Sequence, residues 1–139
     1  MFVSEKIAFH AYLSSAIHGT TSGQTIVFDR VDTNLGGGYS STTGVFTAPV
    51  AGTFVFSLTF YMNYPRPPYA SVGELSIMQN NVQSISVWVE LDSNANRGTA
   101  SGTTVLSLNK DDQVQVKANR ADMFIGGYKF SFFSGFLLS

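Results

Sequence analysis

The chain has 139 residues, 44% of them hydrophobic, 14% aromatic and 12% charged, with no cysteine. That length suits one domain over 1–139 that can bury a core without staples. Eight basic residues against nine acidic ones give no bulk attraction to nucleic acid or an anionic membrane, and zero Cys excludes disulfides, thiolate metal sites and cysteine nucleophiles. A charged fraction near half the usual ~25%, with so many rings, predicts surface that another chain covers.

Charge arrives by Glu5, too early for a signal-peptide apolar region. The longest apolar stretch, residues 54–62, is about half a membrane span, so no membrane insertion is expected. Such a chain either stays in the cytosol or has had a leader removed.

Taken in order, the elements are short strands. Residues 6–13 alternate, with Ile7, Phe9, Ala11 and Leu13 on one face and His10 on the other. Residues 25–28 predict a strand closed by Asp29 to Asp32, where a salt bridge of Arg30 with a neighbouring Asp is expected. The run Gly36, Gly37, Gly38 predicts a loop. Residues 45–47 form a brief strand, and 52–62 the longest, with Phe54, Phe56, Leu58 and Phe60 on one face. Three prolines within 63–69 force a loop. Strands at 74–78 and 82–89 flank Asn80 and Asn81, which tolerate the left-handed backbone of a tight hairpin. Strand-like stretches follow at 99–108 and 114–118, with a turn at 110–112. Residues 119–127 are mostly loop, and 129–138 form a final strand with Phe130, Phe132 and Phe136 on one parity and Phe133 on the other. Rings on both faces predict one side in the core and the other against a neighbouring subunit, or burial of both sides within the monomer. No segment shows helical periodicity, so the fold class is an all-β sandwich or jelly roll.

Catalytic motifs are missing. There is no nucleophile elbow, no zinc-protease helix and no phosphate loop, and an enzyme is not expected. Asp92, Asn94 and Asn96 set oxygens as in an EF-hand loop, but the glycine comes late at Gly98 and Thr103 stands at the twelfth place. Asp92, Asp111 and Asp112 are the candidate calcium ligands, against a plain reading as solvated turns. Tyr64, Arg66 and Tyr69 sit on the proline-stiffened loop. Rings stack on sugars, and an arginine pairs with a carboxylate such as that of sialic acid; the alternative is tyrosines packed over the end of the barrel. Arg97, Arg120 and Asp122, in other loops, are further candidates for the same surface. Trp88, between Val87 and Val89, is expected in the core or at a subunit contact.

One spacing is more specific. Phe28, Asn34, Tyr39, Phe46, Gly52, Phe54 and Phe56 follow one another with gaps that resemble the signature of the globular C1q domain. Residues 44–54 are similar to that family's central block, 7–11 to its opening strand and 133–138 to its closing strand; Phe54 stands where Tyr is commoner. The resemblance implies a ten-stranded jelly roll shared with the tumour necrosis factor superfamily, assembled as a homotrimer or heterotrimer. It implies an extracellular, secreted module of innate immunity or signalling that binds glycans or other cell-surface ligands, in some members with calcium. A cytokine-like ligand for a receptor protein is the alternative. Asn34, before the glycines, is expected to satisfy turn backbone with its amide. Gly52 is expected either in a left-handed conformation or against closely approaching backbone.

Overall fold

The computed structural model describes residues 5–64 and 68–139. Among them are eleven strands and no helix. They are β1 (Ala8–Leu13), β2 (Ile17–His18), β3 (Arg30–Leu35), β4 (Phe46–Thr47), β5 (Gly52–Asn63), β6 (Val72–Gln79), β7 (Val82–Glu90), β8 (Arg97–Leu108), β9 (Gln113–Ala118), β10 (Phe124–Ile125) and β11 (Tyr128–Leu137). β2, β4 and β10 are two residues long.

β5 organises the larger sheet. Every second residue from Phe54 to Met62 is fully buried, which fixes its register against any one-residue slip. One edge pairs with β8 along all twelve residues. The other pairs with β11 and then, past the start of β11, with β10. β1 lies beyond β11, β3 beyond β1, and β2 beyond β10. The smaller sheet runs β4-β9-β6-β7. All pairings are antiparallel, and the two sheets enclose one core, as in a jelly roll.

Seven rings from both signature and flanking strands fill one end of that core. Phe9 stacks on Tyr39 at 4.8 Å and meets Phe133 edge-on at 5.0 Å, while Phe46, Phe54 and Phe56 pack around them. Each buried ring contributes about 1.5–3 kcal/mol before entropy is subtracted. The Tyr39 hydroxyl donates to the Phe28 carbonyl at 2.8 Å, so this buried group is satisfied. Gly135 lets the rings close: a Cβ there would lie 2.6 Å from Phe56 and 2.7 Å from Phe9. Asn34 clips the glycine turn as expected, its amide donating to the Tyr39 carbonyl at 2.9 Å and its oxygen accepting from the Tyr39 N–H at 3.2 Å. Of the two expectations for Gly52, close approach is the one observed, since a Cβ would meet the Ser139 carbonyl at 2.9 Å. Asn80 and Asn81 both have positive φ in the β6–β7 hairpin.

Two local expectations fail. Residues 25–28 hold Ile26 and Phe28 in the core but pair only through a bridge from Thr25 to Lys117; the strand is the polar Arg30–Leu35, held as an edge by β1. Arg30 makes no ion pair with Asp29 or Asp32: the one ion pair among the described residues joins Arg120 and Glu74. Asp29 instead accepts from the Ser14 amide and hydroxyl.

Candidate functional site

Register places three distinct surfaces. On the outer face of the larger sheet, successive cross-strand rows alternate in character. Ala8, Phe136, Val55 and Val105 form one row; His10, Ser134, Ser57 and Thr103 form the next. Tyr12, Phe132, Thr59 and Ser101 follow. The Ser and Thr hydroxyls pair with each other, Ser57 with Thr103 at 3.1 Å and Thr59 with Ser101 at 2.8 Å. The rings stay outside: Phe130 is 62% exposed and Phe136 45%, whereas Phe133 is fully buried. Burial of both sides of this strand within one chain is thereby excluded.

At the end of the same face, β2, β10, β5 and β8 line up His18, Phe124, Asn63 and Arg97 in one row. Asn63, Asn96, Arg97 and Phe124 line a hollow of about 310 Å³. Phe124 is flanked by His18 at 4.6 Å and, edge-on, by Tyr69 at 5.4 Å. Tyr64 is half-buried against the core and donates its N–H to the Asn96 carbonyl at 2.8 Å. Of the candidates, Tyr69 and Arg97 both border Phe124, and Tyr64 is tied to Asn96 next to Arg97 through its backbone, while Arg66 lies outside the described residues.

The outer face of the smaller sheet holds the third surface. Glu74 on β6 directly opposes Trp88 on β7, and Arg120, just past β9, lays its guanidinium 4.5 Å from the Trp88 ring centroid. Arg120 Nε is 3.3 Å from Glu74 Oε1. Glu74 Oε2 accepts from Ser86 Oγ at 2.6 Å and Asn119 Nδ2 at 2.9 Å. Those two hydrogen bonds, with the Arg120 charge, outweigh burial and hold the Glu74 carboxyl below its ordinary value. Trp88 is 52% exposed; it is not a core residue. Its parity with Ser84 and Ser86, opposite Ile85 and Val87, is the sequence signal that marks it as outward. Asp122 lines neither the hollow nor the Arg120 surface. Its backbone bonds Thr20 and Ala70, with positive φ.

Sequence and fold comparisons now decide the family. A family profile described as the C1q domain matches residues 8–138. The chain belongs to the C1q domain family. Zebrafish (Danio rerio) Caprin-2 is 32% identical to this C1q domain over 134 residues, 96% of the chain and 14% of that relative. Mouse complement C1q tumor necrosis factor-related protein 3 is 29% identical over 134 residues, 96% of the chain and 51% of that relative. The chain thus spans about half, or far less, of the curated relatives it matches. Among solved structures, the globular domain of zebrafish complement 1qA superposes with a TM-score of 0.77 at 20% identity, covering 96% of this chain and 98% of that one. Eiger TNF from S. frugiperda superposes at 0.78 with 11% identity, covering 98% and 94%. Both carry the jelly roll common to C1q and TNF domains.

In this C1q domain the three candidate calcium ligands do not converge. Asp92 follows β7 at the hollow's end, where Asn63 pairs with Arg97; Asp111 and Asp112 follow β8 at the end where Gly52 pairs with Leu108. The twelve-residue β5 separates the two ends by roughly 35 Å. Asp92 Oδ1 accepts from the Asn94 and Ala95 amides. Asp112 accepts from the Asn109 amide and the Asn80 side chain, which hold it below its ordinary value. The Asp92 and Asp112 carboxylates each close their own turn. Among the described residues no three His, Cys, Asp or Glu side chains gather closely enough to hold a metal. No helix among them is long and apolar enough to cross a membrane.

Proposed function

We infer that this C1q domain is a non-enzymatic recognition module, one domain over 1–139, which works outside the cell as a homotrimer. The observation that carries this reading is the outer face of the larger sheet. Phe130, Phe136, Tyr128 and Val105 are between 45% and 62% exposed there, flanking a self-paired Ser/Thr stripe. An exposed apolar patch of this kind, rimmed by polar groups, marks an association surface, and the resemblance to trimeric heads supplies the assembly. Association through this sheet leaves loops at the domain ends for ligand. The hollow beside Phe124, with Arg97, Asn63 and Asn96 for polar contacts and Tyr69 and His18 as flanking rings, suits a sugar bearing hydroxyls and a carboxylate. Sialic acid or a microbial surface sugar in innate recognition is the proposed ligand class.

Two measurements test it. Light scattering at micromolar concentration is expected to return three chain masses; one chain mass would overturn the trimer. A glycan array, run with and without a calcium chelator, is expected to show binding, and any loss with chelator would assign calcium a part. A blank array together with saturable binding to one receptor ectodomain would replace the lectin reading by a cytokine-like one.

A further inference from the structure

We propose that the Trp88–Arg120–Glu74 group on the outer face of the smaller sheet is a second ligand site, which takes the carboxylate of an acidic saccharide, a uronate or sialate. The proposal deepens the reading of this domain as a glycan-recognition module. It concerns a face that the hollow beside Phe124 does not reach. The two surfaces lie on opposite sides of a sandwich whose sheets pack about 10 Å apart.

The geometry is that of a preset donor. A flexible arginine ordinarily loses rotamer freedom when it captures a ligand. Here the Arg120 side chain is already oriented on two sides, by the Trp88 ring at 4.5 Å and by Glu74 at 3.3 Å. Glu74 is in turn fixed by Ser86 and Asn119, and the Asn119 amide also donates to Ser76 at 2.6 Å. Glu74 therefore has both oxygens engaged. Yet among the described residues the guanidinium donates no aligned hydrogen bond to the protein: Nε is buried against Glu74 without hydrogen-bond alignment, and the side chain is 41% exposed. An oriented guanidinium with unused N–H donors matches the planar two-oxygen edge of a carboxylate.

The surroundings select a sugar over a peptide. Arg120 also forms one wall of a shallow hollow of about 500 Å³ with Ser22, Ser71, Val72, Asn119 and the two alanines Ala70 and Ala121. That lining offers small hydroxyl and amide groups and no deep apolar pocket to anchor a large side chain, as protein hot spots require. The indole beneath Arg120 is still 52% exposed, and the part of the ring that the guanidinium does not cover provides apolar surface for the C–H side of a pyranose. Arg120 and Glu74 cancel in charge, so the site discriminates by fork geometry, with little long-range attraction.

Trp88 is the only tryptophan in the chain, so its emission reports on this site alone. Titration of the full chain with sodium glucuronate and with N-acetylneuraminate is expected to shift or quench that emission saturably. Methyl glucoside and sodium acetate, each carrying half of the required chemistry, should act at least tenfold more weakly. Arg120→Ala is expected to weaken binding roughly tenfold or more, the loss of a charge-assisted bond. Arg120→Lys, which keeps the charge and loses the fork, should fall close to it, with circular dichroism unchanged in both. An emission that no acidic sugar moves, an equal response to acetate, or stronger binding of tetraglutamate would each overturn the site. A glycan-array signal retained in full by Arg120→Ala would also overturn it while leaving recognition through the Phe124 hollow standing; a blank array for the wild-type chain would overturn the recognition reading itself.

Discussion

The two outer faces of this sandwich are built by the same alternation and end up opposite in kind. On the larger sheet, alternation sends Phe133 inward and leaves Phe130, Phe132 and Phe136 outside in bands around a Ser/Thr stripe. On the smaller sheet it sends Ile77, Val87 and Val116 inward or toward the core and turns Ser86, Glu74 and Lys117 to the outer face, where Ser76 is covered by its neighbours and a single indole is held under an arginine. Burial of the inner side is therefore no guide to the outer one. Rings left in bands ask for a large cover, whereas one ring pinned by an ion pair is already partly satisfied and asks only for a small ligand.

The strongest way to sharpen this contrast is to cut the same strand on its two sides. Phe133→Ala empties a fully enclosed ring site and should cost about 3–5 kcal/mol in denaturant unfolding. The double change Phe130→Ser and Phe136→Ser should leave the folded domain near its original circular dichroism but reduce the mass by light scattering to one chain. Comparable losses of stability from both would erase the distinction between the two sides. A smaller effect belongs to the other sheet. Glu74 has its carboxyl held low in the fold by the Ser86 and Asn119 hydrogen bonds and the Arg120 charge. Its contribution is therefore complete above 4.5, the ordinary value, and is lost as pH falls through the lower folded value. Glu74→Gln should flatten the acid limb of the stability profile by no more than about 1 kcal/mol, as for an exposed pair. Least of all, Trp88→Ala should change stability by under about 0.5 kcal/mol and leave the oligomer intact; loss of assembly would move the association surface to the smaller sheet.

Much of the fold was legible because it rests on local rules. Period-two burial in β1, β5 and β9, the paired asparagines of the β6–β7 turn and the Asn34 clip are each written within a few residues. The strand at 30–35 was not, because Asp32 and Asn34 have little strand preference and are drawn into the sheet by β1, a partner distant in sequence. Residues 25–28 misled for the opposite reason: their β-rich composition reflects burial of Ile26 and Phe28, not pairing. The site was legible only in pieces. Tyr69 and Arg97 both border Phe124, and the Tyr64 backbone bonds Asn96, but Asn63 and Phe124, which complete that hollow, carried no signal before the register of β10, β5 and β8 was known. Arg120 was singled out without its partners, since Glu74 and Trp88 become neighbours only through cross-strand pairing.

β11, the final strand of the chain, occupies the middle of the larger sheet, between β1 and β5. Residues through Leu137 must therefore be in place before that sheet can close. Until then β1 and β5 each present an open edge, and Phe9 and Phe56 wait for Gly135 and Phe133 to reach them. The β6–β7 hairpin can form early because its contacts are local. Closure of the larger sheet is a long-range event, and until it happens β1 and β5 carry open strand edges of the kind that invite wrong pairing.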